Sequence, residues 1–176
     1  MTRVWDLFVR MFHWGLVLSF GVAWFSSHPA ESIHHWAGYA AAGLILMRLL
    51  WGVVGTRYAR FSQFVRSPTT IIRYLSEIVS GREARYLGHN PAGGIMILAL
   101  IAAMATTAWT GWMMTTDSYF GVEWVETAHA LAAHGLLVLI LLHVGGVALA
   151  SIRHRENLVV AMVTGRKRQA AAEDVA

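Results

Sequence analysis

The sequence predicts an all-α integral membrane protein, a four-helix bundle with both termini on the cytoplasmic side. Three observations carry this expectation. Hydrophobic residues make up 56% of the 176-residue chain and charged residues only 14%, far from the composition of a soluble domain. Four apolar stretches, at about 8–27, 33–54, 92–115 and 128–151, reach the roughly 20 residues needed to cross a bilayer. Finally, Lys and Arg gather in some connecting segments and avoid others, which fixes direction.

The first stretch follows Arg3 and Arg10 and has the flanks of a secretory signal. Its apolar run is long, however, and no A-x-A cleavage pattern follows at Ser26–Ala30, so it reads as a retained helix. The second stretch is interrupted by Arg48. The third holds no internal histidine and offers Gly93, Gly94, Ala99, Ala102, Ala103 and Gly111, which suits a packing wall. The fourth carries His129, His134 and His143. Trp5, Trp24, Trp36, Trp51, Trp112 and Trp124 fall near span ends, as an aromatic belt would.

Arg57, Arg60, Arg66, Arg73, Arg82 and Arg85 lie between the second and third spans, and Arg153, Arg155, Arg166, Lys167 and Arg168 follow the fourth. The loops around 28–32 and 116–127 contain no Lys or Arg; they carry Glu31, Asp117, Glu123 and Glu126. Positive residues stay inside, so the outer face is acidic. This placement of a formal +4 charge points to membrane lipid, and not to nucleic acid, as the partner of the basic residues. Within the inner loop, Ser67-Pro68 predicts an N-cap and first-turn proline. Ile71, Ile72, Leu75, Ile78 and Val79 repeat at helical spacing, and Gly81 is a stop. An amphipathic helix at about 68–80, lying on the inner membrane surface, is expected. Residues 1–168 read as one transmembrane domain and 169–176 as a disordered tail. The absence of Cys rules out disulfides, iron–sulfur clusters and haem attached through C-x-x-C-H.

Ionisable side chains inside a membrane are costly and are kept for function, so the nine histidines deserve sorting by depth. His28, His89 and His154 lie in loops or at span ends and read as solvated or interfacial. On the fourth helix, His129 and His143 are 14 residues apart. They share a face and stand about 21 Å apart along the axis. His134 is off that face by about 140°. Depth pairs His129 with His34 or His35 near the outer side, and His143 with His13 near the inner side. Only one of His34 and His35 can face inward, because they diverge by about 100°. Two imidazoles facing each other at each of two levels suit the axial positions of haem iron. A closed zinc site wants four ligands, and copper more often brings Met or Cys.

Supporting residues follow the same geometry. Gly15, Gly38 and Gly146 leave room beside His13, His34 and His143. Arg48 lies 14 residues after His34, on the same face and about 21 Å deeper. There it is a natural partner for a haem propionate, with Arg10, one turn before His13, as a second candidate.

These residues resemble the bacterial di-haem cytochrome b561 family, and the related b-type subunits of nickel–iron hydrogenases and thiosulfate reductases. The resemblance rests on VWDLFVRMFHW (4–14), IHHWAGY (33–39), RLLWGVVGTRYARF (48–61), YLGHNPAGG (86–94), HALAAHGLLVLILLHVGGV (129–147) and RHRENLVVAMVTGRKR (153–168). It covers nearly the whole chain, on all four spans in order. It implies two b haems, with His13, His34, His129 and His143 as iron ligands, and it favours His34 over His35. Where this chain has His134, the family often has a non-ligand residue, typically Asn. The hydrogenase-type subunits usually carry a fifth helix; this sequence shows four spans. The expected role is electron transfer across the bacterial inner membrane, between the quinone pool and an outer redox protein such as a c-type cytochrome or an oxidoreductase subunit. The acidic outer loops would dock a basic partner, and Arg48 or His89 would neighbour a quinone. The alternatives are a quinone oxidoreductase that uses a small outer donor such as superoxide, and a haem-containing anchor subunit.

Overall fold

A computed structural model describes residues 1–27 and 30–175; the expectation for His28 falls outside the described residues. Ten short and long elements follow in order: β1 (Thr2–Arg3), α1 (Leu7–Ser26), α2 (Glu31–Val54), a 3-10 turn (Arg57–Ala59), α3 (Phe61–Phe64), α4 (Pro68–Ser80), α5 (Pro91–Met114), α6 (Glu123–Arg153), α7 (Leu158–Thr164) and β2 (Arg166–Lys167). The protein is all-α apart from the two-residue strands. Helices α1, α2, α5 and α6 are long and apolar enough to cross a membrane. Large apolar side chains lie exposed along them, Trp36 at 74% and Trp109 at 62% among them. Apolar exposure on this scale needs lipid to cover it.

Helix ends obey local chemistry. Asp6 precedes α1, and its Oδ1 accepts from Val9 N–H at 2.8 Å, which is N-capping. Asn90 caps α5 by accepting from Gly93 N–H at 2.6 Å, with Pro91 at the first helical position. Ser67 caps α4, and Gly81 closes it in the left-handed region at φ 68°. Helix α6 begins at Glu123, about five residues before the apolar run that marks it in sequence. Glu123 and Glu126 in its first turn and Arg153 in its last complement the helix dipole.

The chain divides into two compact units. The first comprises Met1–Arg10, Leu50–Leu98 and Leu141–Ala176. Here β1 and β2 pair antiparallel, Thr2 opposite Lys167 and Arg3 opposite Arg166. Val4 and Trp5 donate to Gly165 O at 2.9 and 3.2 Å. Gly165, at φ 78°, fits this approach because a Cβ there would press on Trp5 O. Val4, Trp5, Val9 and Ala59 form the core, covered by Trp51, Tyr58 and Met162. The other Asp6 oxygen accepts from Trp51 Nε1 at 3.1 Å and from Thr56 Oγ1 at 2.5 Å. Helix α4 is held at its C-terminus, where Arg153 donates to Ile78 O at 2.5 Å and to both Glu83 oxygens at 2.8 and 2.9 Å. Its Ile72, Leu75 and Val79 stay exposed, leaving an apolar stripe.

The 169–176 segment, expected as a disordered tail, is described up to Val175. Val175 donates to Arg85 O, and Leu87 donates to Val175 O, both at 2.9 Å. The Asp174 carboxylate, 2% exposed, pairs with Arg85. Arg85 also holds Glu156 at 2.9 and 3.2 Å. A polar tail orders when one buried cation takes up its carboxylate, and composition alone does not reveal that.

The second unit comprises Met11–Leu49 and Ala99–Ile140. Helix α2 turns Ala37, Ala41, Ile45 and Arg48 inward, steps of four, four and three residues that make a single stripe. Leu136, Val125, Ile101 and Met104 are buried with them.

Candidate cofactor site

Two of the expected iron ligands meet within the second unit. The His34 and His129 rings have centroids 6.0 Å apart at an interplanar angle of 78°. Each ring is tied from behind. The His34 Nδ1 lies 2.8 Å from Ala23 O, and the His129 Nδ1 lies 3.0 Å from Thr107 O and 3.2 Å from Thr110 Oγ1. A carbonyl oxygen only accepts, so each neutral ring carries its proton on Nδ1. Nε2 is left as a bare lone-pair donor. Metal-bound histidines are oriented in this way by a carbonyl behind them.

The pair fits an iron held between two imidazoles. With a metal–nitrogen bond of about 2 Å on each side, two rings sharing one metal have centroids about 6 Å apart. Among the described residues no group of three or more His, Asp or Glu is placed to hold a metal ion. Two imidazoles alone would leave room for a group such as a porphyrin to complete the coordination of an iron. A Cβ on Gly38 would meet nothing within 4 Å, whereas one on Gly111 would meet His129 Cε1 at 3.0 Å. Gly38 therefore leaves open space one turn from His34, and Gly111 lets α5 back onto His129.

The neighbouring histidine is used differently. His35 lies 3.9 Å from Glu31 one turn back. His134 donates to Ala130 O at 2.7 Å and stands edge-on to Trp24 at 5.7 Å; it is satisfied within its own helix. His89, in the first unit, sits between Trp5 and Phe64 with centroids at 4.5 and 4.7 Å.

His13 lies on α1 in the second unit, edge-on to Trp14 at 5.0 Å. His143, on α6, belongs to the first unit. Arg48 is 2% exposed, and its guanidinium stands 6.0 Å from the Phe12 ring centroid. Arg10 donates from Nη2 to Val163 O at the end of α7. A Cβ at Gly15 would meet Leu44 methyls at 3.3 and 3.7 Å, so this glycine lets α1 and α2 pack. A Cβ at Gly146 would find open space. Sequence reasoning missed Thr107 and Thr110. Hydroxyl groups in the T-T-A-W-T run of an otherwise apolar span were the available signal.

A family model described as prokaryotic cytochrome b561 matches residues 4–165. No curated protein and no solved structure matches the chain.

Proposed function

This chain belongs to the prokaryotic cytochrome b561 family, whose members bind haem b and carry electrons across membranes, and we propose that it does so through two stacked b haems. The observation that carries this reading is the His34–His129 pair, 6.0 Å between centroids with both Nδ1 atoms engaged by backbone carbonyls. His34 and His129 would hold one haem. His13 and His143 would hold the other, because His143 follows His129 by 14 residues on one helix and so shares its face. When bound, the haem supplies one-electron redox chemistry. The chain's own part is to bind, orient and tune it. Filling both axial positions with imidazole leaves none for oxygen, which suits electron transfer.

Arg48, buried on the His34 face, would pair with a propionate. Gly38 and Gly146, where an added Cβ would meet nothing within 4 Å, would leave room for a flat macrocycle. With the arginine-rich segments inside, the protein lies in the bacterial inner membrane, and Glu31, Asp117, Glu123 and Glu126 face outward, all exposed. That acidic face favours a basic redox protein, such as a small c-type cytochrome. It repels an anionic small donor such as superoxide. A quinone would exchange electrons at the opposite side, near Arg48 or His89.

The test is a haem count with spectra. Wild type should hold two haems, and His13→Ala, His34→Ala, His129→Ala and His143→Ala should each weaken one site. Four silent substitutions would sink the proposal. Titration with a quinol and with candidate cytochromes then assigns partners; a partner that leaves the haem spectrum unchanged is removed.

A further inference from the structure

The terminal segments of the first unit build a second site. A cleft of about 740 Å³ is lined by Arg3, Arg10, Arg155, Arg166 and Arg168, with Val160 along one wall. Arg3 and Arg166 are direct cross-strand partners, so two guanidinium groups stand side by side on one face of the ladder. Like charges opposed in this way repel. Both are exposed, as are Arg155 and Arg168, while Lys167 on the other face is buried. Among the described residues, none of Arg3, Arg155, Arg166 and Arg168 forms an ion pair with a carboxylate. The one acid lining the cleft, Glu156, is committed to Arg85 at 2.9 Å and to the Arg168 backbone N–H at 2.5 Å.

Arg155 adds an independent observation. It is the one non-glycine residue with positive φ, 49°, among the described residues. That conformation is disfavoured for a long side chain, yet it sits in the turn between α6 and α7 that brings Arg155 to the cleft wall. Beside the arginines, Val159, Val160 and Val163 of α7 are each more than half exposed. A free anion has no use for such a face. A molecule with a phosphate at one end and acyl chains at the other uses both.

The geometry points to this cleft as a site for an anionic phospholipid, its phosphate among Arg3, Arg155 and Arg166 and its chains along the exposed valines of α7. Basic pockets beside transmembrane helices bind acidic headgroups by the same physics. The site ties the N-terminal strand and the C-terminal segment to one lipid.

The experiment uses the haem-loaded full chain in detergent. It is mixed with equal amounts of phosphatidylglycerol and phosphatidylcholine, and the retained lipid is read by native mass spectrometry. Wild type should retain phosphatidylglycerol preferentially. Arg3→Gln, Arg155→Gln and Arg166→Gln should each cut that preference by about fivefold, the effect of one basic residue near a membrane surface. The combined Arg57→Gln, Arg66→Gln, Arg82→Gln variant removes three charges from exposed positions outside the cleft, more than any single cleft variant, and should keep the preference. Arg155→Gly is the safeguard against misfolding. It relieves the left-handed backbone, so it should hold or raise thermal stability while lowering lipid retention. Excess inorganic phosphate should leave the preference in place. The proposal is overturned if the cleft variants retain lipid like wild type, if the control variant loses the preference equally, or if inorganic phosphate abolishes it.

Discussion

Gly111→Ala presses on one proposed ligand, His129, without replacing it. The added Cβ would stand 3.0 Å from His129 Cε1 and 3.3 Å from Nδ1. Carbon atoms settle at about 3.5–4.0 Å, so the ring must yield by about 0.5 Å. It has little freedom to do so. Its Nδ1 is tied to Thr107 O at 3.0 Å and to Thr110 Oγ1 at 3.2 Å, and its other side faces His34. Overpacking of this kind costs about 1–3 kcal/mol, or roughly 5- to 150-fold in affinity. The haem proposed to lie between His34 and His129 should therefore be lost or shifted in potential, and the second proposed haem should stay. Haem stoichiometry, the low-spin ferric spectrum and a redox titration read this directly. Gly135→Ala, on the same helix as His129 but with nothing within 4 Å of its added Cβ, is the control. A Gly111→Ala protein with two haems and wild-type spectra would refute the placement of His129 as a ligand backed by α5.

Three further outcomes concern the first unit. Asp6→Ala removes the α1 cap and strands Trp51 Nε1, and should lower stability by about 2–3 kcal/mol; thermal unfolding followed by circular dichroism, with Asp6→Asn as a milder comparison, checks this. Burial pushes the Asp6 carboxyl up, but hydrogen bonds from Thr56, Val9 and Trp51 hold it net below its ordinary range. A depressed carboxyl stabilises the fold above its unfolded pKa, and that contribution is lost as pH falls through the folded value. The same sign applies to Glu156, where burial is outweighed by Arg85 and the Arg168 N–H, and to Asp174, where it is outweighed by the Ala171 N–H and Arg85. Docking of residues 169–175 should thus be complete at neutral pH and fail below about pH 4. Arg85→Ala should release it at neutral pH, at a cost of about 3–5 kcal/mol. Hydrogen exchange at the Leu87 and Val175 amides reports both; protection unchanged at low pH would contradict the ion-pair explanation.

The four spanning helices were legible because the bilayer imposes length and hydropathy on each segment separately. The His34–His129 pairing was legible for a similar reason. Alternating helix direction sets depth, and depth matches partners before any contact is known. Long-range polar pairing was not legible. The β1–β2 ladder joins residues at opposite ends of the chain, and two-residue strands leave no periodicity. Asp6 looks like any charge before a span until Trp51 and Thr56 fold onto it. Asp174 looks like part of a polar tail until Arg85 takes it. The start of α6 was hidden because Glu123 and Trp124 lie outside the apolar run, where hydropathy stops and capping chemistry takes over.

That early start has a consequence for reach. Helix α6 runs 31 residues, about 46 Å, against a hydrocarbon layer of about 30 Å. The helix is therefore about 16 Å longer than that layer requires, and its first turn, with Glu123, Trp124 and Glu126, holds charges that hydrocarbon excludes. His129 lies six residues in from Glu123, about 9 Å along the axis. Because tunnelling rates fall exponentially with separation, that short distance would favour electron exchange between the proposed His129 ligand and a partner docked at this end.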